Sequence, residues 1–313
     1  MQRLASFVDT ALDRTVLPGY SRVGPAVRRR LSTWPADPRP GSMAGKRALV
    51  TGASSGLGIA TAEGLAALGA EVTLVVRDTE KGERVAAEIS GRLPHASLDV
   101  QRCDVSDLDD VRRFAGSVSG PVDVLVHNAG AMPPERSESP QGHELTMSLH
   151  VLGPVLMTEL LSEQLRGGRM VFVTSGGMYT QRLRDDDPEY LADEYKPATA
   201  YARSKRAQIE LLPVLQHRWP DLGVHAMHPG WADTPGVVDS LPTFHRLTGP
   251  LLRDAESGAD TTVWIAATQP QPPGARLWHD RAPRPTQLLR RTRTGVAERE
   301  RLWAWVKDAL DLS

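Results

Sequence analysis

Apolar and polar residues follow two different periods along most of the chain. From Lys46 onward, short continuous apolar runs are separated by longer segments in which apolar residues recur at helical spacing. The short runs predict seven buried strands and the longer segments predict helices. The strands are expected at Ala48–Thr51, Val72–Val76, Leu98–Cys103, Val122–His127, Met170–Thr174, Val224–His228 and Ala275–His279. The helices are expected near Leu57–Leu68, Lys81–Arg92, Asp107–Ser117, Gly142–Leu165, Ala200–His217 and Ala255–Thr268. Buried strands that alternate with helices are joined by right-handed crossovers, so the pattern predicts an α/β fold with a doubly wound, parallel, seven-stranded sheet.

Segments of different character precede and follow this regular part. Residues 1–44 form an N-terminal extension with a short amphipathic segment, the arginine cluster Arg28–Arg30 and a proline-rich linker over Trp34–Pro40. Residues 45–280 form the single sheet domain, and residues 281–313 form a tail. The tail predicts a last helix over Val296–Leu312.

Composition excludes several classes of protein. The chain has 313 residues, of which 40% are hydrophobic, enough for one large domain with a full core. A net charge of -1 argues against a nucleic-acid partner. Cys103 is the single cysteine, so no intramolecular disulfide forms, and we expect no metal site. Since the sequence contains neither a run of about 18 apolar residues nor a signal-peptide core, we expect a cytoplasmic protein without membrane contact.

A glycine-rich turn links the first predicted strand to the first helix of the sheet domain. In TGASSGLG, over residues 51–58, three glycines let the backbone turn sharply and approach a diphosphate, whose charge the helix N-terminus stabilises. A purely structural turn is the alternative, but the position between a strand and a helix favours dinucleotide binding. The residues expected to contact the dinucleotide are Thr51, Gly52, Ser54, Ser55, Gly56, Leu57 and Gly58.

The end of the second strand bears on which dinucleotide binds. Folds that select NAD place an acidic residue there, where it binds the ribose hydroxyls. Val76 occupies this point and is followed by Arg77, whose guanidinium can pair with a 2′-phosphate. We therefore predict NADP(H) over NAD(H). The alternative is that Arg77 merely ends the strand, with the acidic Asp78 beside it.

Tyr201 and Lys205 stand four residues apart in YARSK, so one helical turn places both side chains on one face. A phenol is a poor acid near neutral pH, with a free pKa near 10. At ~5 Å and an effective dielectric of ~20, an ammonium favours the phenolate by roughly 3 kcal/mol, or about two pKa units. We expect a tyrosine with a lowered pKa that acts as general acid or base. The alternative is an exposed helix that carries both residues by chance.

Further motifs follow in a set order. Besides the turn at 51–58 and the pair Tyr201 and Lys205, the chain contains Asp104-Val105, Asn128-Ala129-Gly130, Ser175 and Pro229-Gly230. In this order they resemble the short-chain dehydrogenase/reductase family over about residues 45–279. The segments SGGM, YARSKR and MHPGWADTPGV are similar in sequence to the retinol-dehydrogenase-like branch of that family. The resemblance implies a Rossmann fold and a nicotinamide cofactor.

The resemblance also implies a role for each matching residue. Ser175 would hydrogen-bond the substrate oxygen, Tyr201 would exchange the proton, and Lys205 would hold the nicotinamide ribose and lower the pKa of the tyrosine. The remaining residues that would contact the cofactor are Asp104 and Val105 at the adenine, Asn128, Ala129 and Gly130 in the cleft, and Pro229, Gly230 and Thr234 towards the nicotinamide.

Two features depart from the family pattern. His150 stands where the family usually has a relay asparagine, and a histidine can also donate and accept protons, so we include it as a catalytic residue. The alternative is a packed helix residue. In addition, 26 positions separate Ser175 from Tyr201, about twice the usual number, and the acidic insert Gln181–Lys196 lies between them. It is either a lid over the cleft or a solvated surface loop, and we slightly favour the loop.

Together these observations predict an NADP(H)-dependent oxidoreductase that interconverts a carbonyl and an alcohol by hydride transfer, with Tyr201 as general acid or base. Its substrate would be an apolar small molecule. A non-catalytic dinucleotide-binding sensor or scaffold is the competing class, and an isomerase or epimerase on the same scaffold is a third. Because family members usually form dimers or tetramers, the resemblance leaves a homo-oligomer open.

Overall fold

One twisted sheet forms the centre of the protein. The structure is a computed structural model that describes residues 2–233, 246 and 248–313. Among these residues, eight strands pair in the order β3-β2-β1-β4-β5-β6-β7-β8. They are β1 (Arg47–Thr51), β2 (Glu71–Val76), β3 (Ser97–Arg102), β4 (Val124–His127), β5 (Arg169–Val173), β6 (Gly223–Met227), β7 (Arg276–His279) and β8 (Ala282–Arg284). Strands β1 to β7 are parallel, which confirms the predicted fold class. Strand β8 is an addition that pairs antiparallel with β7.

Helices cover both faces of the sheet. The helices before the sheet are α1 (Gln2–Arg14), α2 (Val16–Tyr20) and α3 (Val23–Arg28). Those within and after it are α4 (Gly56–Ala67), α5 (Thr79–Arg92), α6 (Leu108–Ser117), α7 (Leu145–Met147), α8 (Gly153–Leu160), α9 (Pro197–Arg218), α10 (Ala255–Ala267) and α11 (Val296–Leu310). A π-helical turn, Ser148–Leu152, joins α7 to α8, and a 3-10 turn covers Gly176–Thr180. None of the described helices is long and apolar enough to cross a lipid bilayer.

Two hydrophobic layers, one on each side of the sheet, form the core. Alternate residues of a strand point to opposite faces, so Leu49 belongs to one layer and its neighbour Val50 to the other. Helices α6, α8 and α9 pack with Leu49, through residues such as Val111. Helices α4, α5 and α10 pack with Val50, through residues such as Leu65. This arrangement holds the carboxyl ends of the parallel strands at one edge of the sheet.

The N-terminal extension packs on the sheet domain through a buried arginine. The guanidinium of Arg28 lies 2.7 Å from Asp9 and 2.5 Å from Asp280, and its side chain is 2% exposed. Its two neighbours in the predicted cluster, Arg29 and Arg30, are exposed. Arg28 therefore belongs to the core of the molecule, whereas the other two arginines of the cluster lie on its surface.

The acidic insert is docked rather than solvated at its centre. Leu183, Asp187 and Tyr190 are buried. Arg203 on α9 lies 2.7 Å from Asp193 and stacks on the ring of Tyr190 at 4.0 Å. The preference for a solvated loop is thus wrong for the centre of the insert. Arginine side chains neutralise its carboxylates, and the ring of Tyr190 packs against Arg203.

Candidate active site

A cleft of about 550 Å³ opens at the carboxyl ends of β1, β2, β4, β5 and β6. Open α/β sheets bind their ligands at this edge. The cleft brings together most of the residues predicted from the sequence: Gly52, Ser54, Ser55, Gly56, Leu57, Arg77, Asp104, Val105, Asn128, Ala129, Gly130, Ser175, Tyr201, Lys205, Pro229 and Gly230. Three predicted residues, Thr51, Gly58 and His150, lie behind its walls. Thr234 falls outside the described residues.

The glycine-rich turn has the close approaches that a diphosphate site requires. Gly52 has a φ of +65°, and a Cβ atom there would lie 2.8 Å from the Cα of Ala129. A Cβ on Gly58 would lie 2.2 Å from the carbonyl oxygen of Gly52. Helix α4 begins directly at this turn, after Ser55, so its free backbone N–H groups face the cleft. These residues fit the phosphates of a dinucleotide.

Thr51 and Asn128 fasten the turn to the neighbouring strand. The Thr51 hydroxyl accepts hydrogen bonds from the backbone N–H groups of Asn128 and Ala129, each at 3.0 Å. The Asn128 side-chain amide donates to the carbonyl oxygens of Thr51 at 3.0 Å and Gly52 at 3.3 Å. Both residues therefore hold the ends of β1 and β4 in register at the cleft.

At the far end of the cleft, two cations follow β2. Arg77 and Lys81 both line the cleft and are exposed. Asp78 also lines it, but its carboxylate accepts the backbone N–H of Lys81 at 3.0 Å and so caps α5. Asp104 follows the neighbouring strand β3 and accepts hydrogen bonds from both the backbone N–H and the hydroxyl of Ser106.

Ser175, Tyr201 and Lys205 meet in the middle of the cleft. Ser175 follows β5, and its hydroxyl oxygen accepts the backbone N–H of Gly177 at 3.2 Å. Tyr201 and Lys205 lie on α9, and the Lys205 ammonium lies 5.5 Å from the centre of the Tyr201 ring. A side-chain hydrogen bond joins Tyr201 to Ser175. The same ammonium donates to the carbonyl oxygen of Val173 at 2.9 Å.

The electrostatics of this pair differ from the expectation. Burial raises the pKa of Tyr201 to about 12, although the hydrogen bond from Ser175 acts in the other direction. Burial also lowers the pKa of Lys205 to about 7, so Lys205 supplies only part of a positive charge at neutral pH. The predicted lowering of the tyrosine pKa is therefore wrong for this structure, because the loss of solvent outweighs the hydrogen bond with Ser175.

His150 lies in the π-helical turn, packed against Tyr201 with ring centroids 5.4 Å apart. Ala131 donates its backbone N–H to His150 Nε2 at 3.2 Å, so the ring proton lies on Nδ1, which contacts the hydroxyl of Ser204 at 2.7 Å. That hydroxyl donates to the Tyr201 carbonyl oxygen at 2.8 Å. Burial and the charge of Lys205 hold the pKa of His150 well below its usual range, and the imidazole is neutral.

A buried network from the N-terminal extension supports the cleft from behind. The guanidinium of Arg253 donates to the carbonyl oxygens of Tyr20 and Gly19 at 2.9 Å and 2.8 Å and lies 2.6 Å from Asp280. The same carbonyl oxygen of Tyr20 also accepts a hydrogen bond from the backbone N–H of Trp231 at 2.7 Å. The sequence analysis gave Gly19 and Tyr20 no functional role. It missed their function here, because the partners lie more than 200 positions away in the chain.

Among the side chains that the structure describes, no three His, Cys, Asp or Glu residues cluster as metal ligands. The two long walls of the cleft, the glycine-rich turn with its helix and the Ser-Tyr-Lys group, are those of an oxidoreductase that uses a nicotinamide dinucleotide.

Comparisons with known proteins identify the class. A short chain dehydrogenase family model matches residues 46–185. Dehydrogenase/reductase SDR family member 12 of Bos taurus is 37% identical over 271 residues, which are 82% of this chain and 84% of the relative. The chain therefore belongs to the short-chain dehydrogenase/reductase family of oxidoreductases, as the sequence motifs predicted. It is similar to that bovine protein.

Two further relatives place it within the family. Human retinol dehydrogenase 13 is 30% identical over 250 residues, 75% of this chain and 76% of the relative. A solved structure of an uncharacterized protein from Mycobacterium paratuberculosis is 30% identical and superposes with a TM-score of 0.73, covering 88% of this chain and 99% of the other.

Proposed function

We propose that the protein interconverts a carbonyl and an alcohol with NADP(H), and that Tyr201 is the general acid or base. The observation that carries this proposal is the meeting of Ser175, Tyr201 and Lys205 on one wall of the dinucleotide cleft. A protein that only bound a dinucleotide would need the glycine-rich turn but not a phenol hydrogen-bonded to a serine hydroxyl.

The residues divide the reaction between them. When bound, the nicotinamide supplies a hydride to the carbonyl carbon in reduction, or accepts one in oxidation. Ser175 orients the carbonyl oxygen, and Tyr201 donates its phenol proton to that oxygen, which gives the alcohol. Since the pKa of Tyr201 is about 12, the phenol is protonated at neutral pH. The resting protein is thus in the correct protonation state for reduction.

Replacing the phenol tests this assignment. We expect Tyr201→Phe to lower NADPH-dependent reduction of a panel of apolar ketones and aldehydes by roughly 10²- to 10⁴-fold, with NADPH affinity retained. Tyr190→Phe is the matched control, because that hydroxyl donates to the carbonyl oxygen of Glu194, within the insert. If the wild-type protein binds NADPH tightly and turns over no carbonyl in the panel, the sensor function replaces this proposal.

The choice of NADP rests on the cations after β2. Arg77 and Lys81 can both approach a 2′-phosphate, while Asp78 is engaged as a helix cap. A charge-assisted hydrogen bond contributes about 1.5–3 kcal/mol. We therefore expect Arg77→Gln to weaken NADPH binding roughly 10- to 100-fold and to leave NADH binding unchanged. Arg84→Gln, on the exposed face of α5, is the control. A wild-type preference for NADH would overturn this part alone.

An apolar substrate is supported by the remaining walls of the cleft. Ala131, Met132 and Leu149 line it beside Ser175 and Tyr201. The similarity to a relative named for retinol, a largely apolar alcohol, favours the same class here. A carbonyl panel graded by hydrophobicity tests this, with higher kcat/KM expected for the more apolar members.

His150 enters the proposal as a positioning residue. Its two ring nitrogens are engaged by Ala131 and Ser204, and its backbone oxygen accepts the side-chain amide of Gln208 at 2.7 Å. These contacts fix the helical turn that carries Tyr201. We expect His150→Ala to lower kcat while shifting the pH profile. If both stay unchanged, the residue has only a packing role, and neither the relay nor the positioning function holds.

A further inference from the structure

Exposed large hydrophobic side chains concentrate on the three N-terminal helices. Leu4 and Phe7 are 68% and 70% exposed, and Val16, Leu17 and Val23 lie between 40% and 56%. Elsewhere in the described part of the chain, the large exposed hydrophobics are the scattered Leu160, Leu191, Leu289 and Val296. Isolated apolar side chains on a surface are ordinary, but five on consecutive short helices are a feature of the extension.

Helix α1 separates its residues cleanly between two faces. Ala5 and Asp13 are buried against the protein, eight positions apart and therefore on one side of the helix. Leu4 and Phe7, three positions apart, share the outer side. Helix α1 thus turns a small residue and an acidic residue towards the protein and presents large apolar side chains to the surroundings.

The charged residues of the extension also differ between its inner and outer sides. The acids of residues 2–33 are Asp9 and Asp13, and both face inward, where Arg28 and Arg284 neutralise them. The exposed charges of the segment are all positive, and they are Arg3, Arg14, Arg22, Arg29 and Arg30. Arg29 lies 3.5 Å from the carboxylate of Asp260, and Arg14 interacts with the charge of Asp13. The outer surface of the extension therefore combines exposed apolar side chains with an excess of positive charge.

We propose that helices α1 to α3 form a docking surface for an anionic lipid bilayer. Apolar side chains such as Phe7 would enter the interfacial region while the arginines contact lipid phosphates. A second copy of the chain fits less well, because a symmetric contact would oppose the same positive charges. Docking of this kind would be interfacial, so it needs no spanning helix, and it would replace the expectation of no membrane contact.

Docking would also orient the catalytic cleft. Tyr20 at the end of α2 holds Trp231, in the loop that follows the cofactor-contacting Pro229 and Gly230. The bilayer surface would thus lie next to the part of the cleft that receives substrate. An apolar carbonyl compound dissolved in the bilayer could then reach the site without crossing bulk water.

Vesicle co-sedimentation of the full chain tests the docking. We expect the wild-type protein to pellet with vesicles of phosphatidylcholine and phosphatidylglycerol, to remain in solution with phosphatidylcholine alone, and to be released by salt. Phe7→Ser should lower the partition coefficient at least about tenfold, and Arg3→Gln and Arg14→Gln about fivefold each. Leu191→Ser, at a residue 71% exposed on the insert, and Arg39→Gln are the matched controls.

Three results would overturn the proposal. The first is a wild-type protein that binds neither kind of vesicle, and the second is a Phe7→Ser variant that binds as the wild type does. The third is a sedimentation coefficient that differs between Phe7→Ser and the wild type while neither binds vesicles, which would assign the surface to a second copy of the chain. Because all the substituted side chains are exposed, circular dichroism and NADPH binding should match those of the wild type in every variant.

Discussion

Arg253 joins three parts of the molecule, and its removal should weaken both folding and cofactor binding. Its side chain is 1% exposed and touches the extension at Gly19, Tyr20 and Ser21. It also donates to the carbonyl oxygen of Pro229, which lines the cleft, at 3.2 Å. Arg253→Met keeps most of the side-chain volume and removes every one of these hydrogen bonds.

The size of the effect follows from the partners that remain. Removing one member of a buried ion pair costs about 3–5 kcal/mol, since the other charge is left in the interior without compensation. Here Asp280 keeps Arg28 at 2.5 Å, and the carbonyl oxygen of Gly19 still accepts from Arg28 at 2.9 Å. We therefore expect the lower end, about 3 kcal/mol, which is about two orders of magnitude in the unfolding equilibrium.

Urea unfolding followed by tryptophan fluorescence measures the loss of stability, and NADPH titration of the folded variant measures the effect on the loop. We expect NADPH affinity to fall along with stability, because Pro229 and Trp231 lose their support. Arg29→Met, at an arginine 50% exposed, should change stability by less than about 0.5 kcal/mol. Equal stability and equal NADPH affinity in Arg253→Met and the wild type would refute the reasoning.

Three further predictions concern the turn, the lysine and the insert. Gly58→Ala should abolish NADPH binding, measured by fluorescence titration, because its Cβ would lie 2.2 Å from a backbone oxygen. Gly91→Ala is the control, since the space around Gly91 is open. This variant should bind NADPH normally and gain about 0.5–1 kcal/mol in stability. The kcat/KM of carbonyl reduction should fall as pH rises through about 7, where Lys205 loses its proton, and Lys205→Arg should flatten that limb because a guanidinium stays charged. Asp187→Asn should make the insert more sensitive to limited proteolysis, since the carboxylate accepts the backbone N–H of Leu191 at 2.7 Å.

The sequence predicted well whatever depends on neighbours along the chain. Each of the seven predicted strands lies within two residues of its observed ends. Six of them are continuous apolar runs, which mark strands buried on both faces. The exception is the edge strand β3, which was expected to be buried but is partly exposed along its length. The carboxyl ends of those strands then converge by topology, so Gly52, Asn128 and Ser175 could be assigned to one cleft. No comparable apolar run predicted β8, which has only three residues.

Features that depend on distant partners could not be predicted. Nothing in the cluster Arg28–Arg30 indicated that Arg28 is buried, since its partner Asp280 lies 252 positions away. The pKa of Tyr201 was predicted from the spacing to Lys205 alone, whereas its loss of solvent depends on everything packed around it. The insert was interpreted from its carboxylates, but Arg203 on a separate helix decides that it is docked.

The short strand β8 has a consequence for how the protein behaves in concentrated solution. The carbonyl oxygen of Trp278 bonds to His228 on the β6 side, so the paired residue Pro283 turns its own backbone outward, away from β7. Proline has no N–H to offer there. A strand from another molecule that tried to extend the sheet at this end would find a three-residue edge without its central donor. This end of the sheet is therefore protected against edge-to-edge aggregation.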